Sequence, residues 1–163
     1  MITFWRAVAL WVLCTTVSIG TGGMAVAQNP LQRMDDTGTQ VLAGPIAMKW
    51  DQAVPRKGQT PTVSGTARVR VRLDTRPWQG RTVRIFLALP AQGFGEVTAR
   101  WVASGPLLPG QLVSGQTPGG LVYSGMVAGP VLEDTLVLTM HADGTRLTRL
   151  EQLDFSFYVE AAQ

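Results

Sequence analysis

The strongest pattern in the chain is a two-residue alternation between about Ser64 and Asp74. Ala67, Val69, Val71 and Leu73 fall on one side, and Arg68, Arg70, Arg72 and Asp74 on the other. Successive side chains of a strand point to opposite faces, so this rhythm predicts a strand with one buried and one solvated face. It recurs. Val83, Ile85, Leu87 and Leu89 alternate with Thr82, Arg84, Phe86 and Ala88. Val97, Ala99, Trp101 and Ala103 form a third apolar row, and Leu136, Leu138, Met140 and Ala142 a fourth. Leu153, Phe155, Phe157 and Val159 form a fifth. Ile46 to Trp50, Leu112-Val113 and Leu121 to Val127 predict shorter strands.

Glycine and proline separate these rows, as at Pro77-Trp78-Gln79-Gly80 and Asp143-Gly144. Leu147, Leu150 and Leu153 suggest one helical turn before the last strand. No longer run beyond the first 27 residues has the 3.6-residue period of a helix. About eight short strands between turns predict an all-β fold, an antiparallel β-sandwich of immunoglobulin-like or jelly-roll-like kind. Gly58-Gln59-Thr60-Pro61 recurs as Gly115-Gln116-Thr117-Pro118, which we read as shared turn chemistry rather than a repeat.

The rows suggest a register. If residues 67–73 and 83–89 pair as a hairpin around Trp78, Leu73 faces Val83 and Val69 faces Leu87 inside. Outside, Arg72 then faces Arg84, and Arg70 lies over Phe86 in cation–π distance. Trp50 and Trp101 read as core. Trp78, Phe86, Phe94 and Tyr158 read as loop or outward residues, the kind on which a sugar could stack.

The N-terminus is built differently. Arg6 precedes an apolar run from Ala7 to Gly20, and Ala25-Val26-Ala27 follows a stretch of small residues. Those are the three parts of a secretory signal, with cleavage expected after Ala27. Thr15, Thr16 and Ser18 dilute the run below what a membrane span of roughly 20 apolar residues needs. The expected organisation is a signal peptide over 1–27, a flexible polar arm over 28–40 and one sandwich domain over 41–163. The expected location is periplasmic or secreted, with no membrane span after cleavage.

Composition then narrows the chemistry. Cys14 is the single cysteine and lies inside the signal, so the mature chain carries no disulfide and no thiolate. Residues 49–100 hold ten basic and three acidic side chains, whereas residues 101–163 hold two basic and six acidic ones. Two such halves would neutralise each other across a sheet; otherwise they leave a basic face for an anionic partner. His141 is the single histidine, expected to point outward at a strand end before a turn. Any hydrolytic triad would have to use it. There is no Gly-x-Ser-x-Gly elbow or phosphate-cradling loop, and Asp35-Asp36 and Glu133-Asp134 are sequence neighbours that a strand points apart. We therefore expect no enzyme, no metal site and no cofactor.

From Gly115 through Thr139, a Gly/Pro turn, a tyrosine-bearing strand and Asp134-Thr135-Leu136-Val137-Leu138 resemble the closing hairpin of fimbrial subunits and exported coat proteins. The stretch covers about a sixth of the chain. The disulfide frequent in those families is absent here. The strand count reaches a whole sandwich, where a subunit completed by a neighbour's strand would be one short.

Three functional expectations follow. The first is a non-catalytic structural or assembly subunit of the cell envelope, with a protein partner or copies of itself. The second is a binding module for an anionic glycan or other polyanion through Arg68, Arg70, Arg72, Arg84 and Phe86. The third is a hydrolase built on His141. Nucleic acid is not expected as a partner, since one aromatic among these arginines is a poor platform for bases.

Overall fold

The structure is a computed structural model that describes residues 30–42, 44–52, 57–58, 60–147 and 152–161. The expected signal peptide with Cys14, and most of the single helical turn expected over 147–153, lie outside the described residues.

The described chain is all-β apart from one 3-10 turn at Arg76–Trp78. Ten strands occur in order: β1 Gln32–Arg33, β2 Gln40–Val41, β3 Lys49–Trp50, β4 Thr62–Asp74, β5 Thr82–Ala88, β6 Val97–Ala103, β7 Gly110–Val113, β8 Gly120–Met126, β9 Val131–Asp143 and β10 Ser156–Ala161. They form two antiparallel sheets. One has the order β1-β10-β5-β8; the other runs β2-β4-β9-β6-β7, with β3 also on β4. The alternating apolar rows of both sheets meet in one core that includes Val71, Leu73, Ile85, Leu87, Trp101 and Leu136.

The longest pairing is β4 against β9, unbroken from Thr62 opposite Asp143 to Asp74 opposite Val131. Trp101 ties the two sheets. Its indole Nε1 donates to the Leu108 carbonyl at 2.9 Å, and its ring lies against Gly120 of the other sheet. A Cβ at Gly120 would collide with both that ring and the Gln111 carbonyl, so this position is closed to larger residues.

The expected hairpin between β4 and β5 does not form. The two strands belong to different sheets, and the link between them is a corner. The sequence contains the reason. Asp74 turns the chain by accepting the Arg76 backbone N–H, and Gly80 supplies a positive φ of 75°. Thr75 and Trp78 are then buried in the corner, the Thr75 hydroxyl donating to the Gly129 carbonyl at 2.8 Å. A hairpin turn would have left that tryptophan in water.

Residues 30–40, within the arm expected over 28–40, are packed onto the sandwich together with Val41 and Leu42. Met34 is buried and its N–H donates to the Phe157 carbonyl. Asp35 O accepts from Asp74 N, the Thr39 hydroxyl accepts from Arg72 N, and Leu42 N donates to Arg68 O. The segment starts beside one sheet and crosses to the other. No described helix is long and apolar enough to cross a membrane.

Candidate functional site

The crossing segment closes one edge of the sandwich incompletely. On the four-stranded sheet, the described residues pair the outer side of β10 over a short stretch, Gln32 opposite Val159, Arg33 opposite Tyr158, and Met34, whose N–H donates to the Phe157 carbonyl. On the six-stranded sheet, β4 is paired by β2 at Val69 and Arg70 and by β3 at Val63 and Ser64. Between those two short pairings the described residues form no ladder along residues 65–67.

Between the two edges opens a cavity of about 900 Å³. Its walls are the inner rows of both sheets, including Ala67, Val69, Leu138, Met140 and Phe157. Phe94, Leu147, Leu153 and Phe155 line it from the loops, and Val41, Ile46 and Met48 from the crossing segment. Gly65 makes room for that segment: a Cβ there would press on Met48 and Ile46. The mouth is open to solvent. Val41 shares the inward side of its pair with Val69, yet it is 57% exposed. Met48, which also lines the cavity, is exposed as well. Apolar surface that should face a core faces an opening instead. Trp50, expected to be core, is 56% exposed away from the cavity, on β3 with its ring over Gly144.

The arginines named from the sequence do not form one patch. Arg68, Arg70 and Arg72 are on the outward side of β4, while Arg84 and Phe86 are on β5 in the other sheet. Arg72 lies opposite Glu133 in the register, with Nε 3.2 Å from Oε1. Arg84 lies opposite Glu160 and donates from Nε to Oε2 at 3.1 Å. Both ion pairs join the basic first half of the domain to its acidic second half. The cation–π contact exists, but Arg84 makes it in place of Arg70, with its guanidinium carbon 5.6 Å from the Phe86 ring centre.

Phe86 itself is buried, against the outward reading. A register shift between Ile85 and Phe86 in the β5–β8 ladder breaks the alternation, so Ile85, Phe86 and Leu87 are all buried in succession.

His141 points outward at the end of β9, half exposed, with Nδ1 3.6 Å from Asp51 Oδ2. The Thr62 hydroxyl donates to the same carboxylate oxygen at 2.7 Å. The hydroxyls of Ser64 and Thr62, then the nearby imidazole, hold the Asp51 carboxyl below its usual range. A cleft of about 410 Å³ adjoins, lined by Thr62, Glu96, Thr98, His141 and Arg146. An acid, a hydroxyl and an imidazole are thus close together. Their order is wrong for nucleophile activation, because the hydroxyl is bonded to the acid and not to the imidazole. Among the described residues no three His, Cys, Asp or Glu side chains are grouped to hold a metal ion.

The cavity was not legible in the sequence. Its available signal was Val41 and Met48, apolar residues outside the five strong alternating rows. No family model, curated protein or solved structure matches the chain.

Proposed function

We propose that this chain is a non-catalytic assembly subunit of the cell envelope whose sandwich is completed by an extended segment of a neighbouring copy. The observation that carries the reading is the part-filled edge beside β10, with the 900 Å³ apolar cavity behind it. An immunoglobulin sandwich has one sheet ordered A-B-E-D and another containing C, F and G. Here β2 and β3 stand where A would, followed by β4, β9 and β6 as B, E and D. In the other sheet β5 and β10 stand as C and F. The place of G, beside F, is held over two residues by β1. β7 beside β6 and β8 beside β5 are strands beyond these positions, which is why eight strands can be present while the place of G is part-filled.

An added strand suits this edge on two grounds. Its backbone would extend a ladder along β10, and its alternate side chains would enter the cavity. A compact apolar ligand would use the cavity but leave the strand edge unpaired. The signal-like N-terminus supports export, and the absence of cysteine from the rest of the chain fits a domain held by packing and strand addition.

The test is self-association. Light scattering should show mass rising with concentration for the purified protein. Val41→Asp places a carboxylate at the exposed mouth of the groove. It should change monomer stability by no more than about 0.5 kcal/mol and abolish the rise. A protein that stays monomeric throughout, or a variant that associates as well as wild type, would contradict the reading.

A further inference from the structure

The outward face of the six-stranded sheet carries cations that the ion pairs above do not neutralise. The register places them. Thr66 of β4 lies opposite Thr139 of β9, which lies opposite Arg100 of β6. Arg100 therefore shares the outward face with Arg68 and Arg70, although sequence spacing gave no reason to group them. Arg68 and Arg70 form no ion pair among the described residues, and Arg100 donates only to a neutral group, the Gln111 amide oxygen, at 3.2 Å. The acids on this face stand at its ends. Glu133 is taken by Arg72, and Asp51 sits with His141.

The spacing is that of a sheet. Arg68 and Arg70 are two residues apart on one strand, about 7 Å, and β4 and β6 flank β9 at about 9.5 Å. Thr135 lies opposite Arg70, and Thr139 lies between Thr66 and Arg100, while Val137 and the exposed Val102 continue the row from Arg68. A guanidinium fork matches a carboxylate or sulfate with two parallel hydrogen bonds. Exposed cations at near-nanometre spacing, with hydroxyls and apolar side chains between them on the open face of a sheet, suit a linear polymer that is rich in hydroxyls and bears periodic anions.

We propose that this face binds an anionic polysaccharide, carboxylated or sulfated, through Arg68, Arg70 and Arg100. The site is separate from the groove and does not depend on how the groove is used.

Affinity electrophoresis or calorimetry with heparin, polygalacturonate and uncharged dextran tests it at low salt. The protein should bind at least one of the two anionic polymers and not dextran. R68Q/R70Q/R100Q should weaken that binding about tenfold or more, as expected for losing three exposed charge contacts. The control variant R33Q/R81Q/R146Q removes the same charge from elsewhere and should lose much less. Val41→Asp should bind as wild type does. Equal loss in the two triple variants, or no binding to either anionic polymer, would overturn the site. Tighter binding to duplex DNA or to phosphatidylglycerol vesicles than to both polymers would overturn the choice of ligand.

Discussion

Asp74 shows how a single side chain sets the topology. It ends β4, accepts the Arg76 N–H at 3.0 Å, and takes a second contact from the Arg76 guanidinium at 3.0 Å. Those contacts, the guanidinium first, lower its carboxyl to about 2. A carboxyl lowered on folding contributes stability above its unfolded value near 3.8 and loses it as pH falls through the folded value. The denaturant midpoint should therefore fall between pH 4 and pH 2. Asp74→Asn should flatten part of that fall, because Asp35, Asp51 and Asp143 are lowered as well and remain. An unchanged pH profile in the variant would mean that the corner is not held by this contact. Asp134 does similar work at the start of β9. It is buried and accepts three backbone N–H groups, from Ser104, Leu107 and Thr135, which fixes the loop after β6.

At the scale of elements, the pairing of β4 with β9 decides what the arginine row means. The hairpin read from the sequence would set Arg72 against Arg84, a repulsion that calls for an outside anion. The observed register sets it against Glu133. Arg72→Glu then creates a like-charged pair and should lower the denaturant midpoint, by a loss of about 0.2–1 kcal/mol. The loss should be larger at low salt than at high salt. A midpoint that rises would contradict the Arg72–Glu133 pairing. This element also marks where the sequence ran out. Alternation located the rows of β4, β5, β6 and β9, since period two follows from one buried face; the fifth row was located in part, because β10 begins at Ser156 and leaves Leu153 and Phe155 in the loop before it. Alternation could not say which rows share a sheet, because the seven-residue link over 75–81 serves a hairpin or a corner equally well. Trp78 inside that link was the available clue. Nor could alternation foresee the shift at Ile85 and Phe86, which buries Phe86 and removes it from the candidate site. Of the five candidate site residues, Arg68 and Arg70 remain together on an open face, whereas Arg72 and Arg84 are each paired with an acid.

At the scale of the whole molecule, the described residues join an ordered core to an edge that they leave part-filled. Most of the core is enclosed by long ladders, and the remaining side is covered by a segment that pairs two residues at a time. Such a side should open more readily than the rest, since short pairings next to exposed apolar surface are the low-stability end of a fold. Amide hydrogen exchange, compared between dilute monomer and concentrated assembled protein, tests the central claim most directly. The account predicts fast exchange in the monomer for Val41 and residues 152–155, slow exchange for the centre of the β4–β9 ladder, and marked protection of residues 152–157 on assembly. Full protection of that edge already in the monomer, or no gain in protection on assembly, would contradict it.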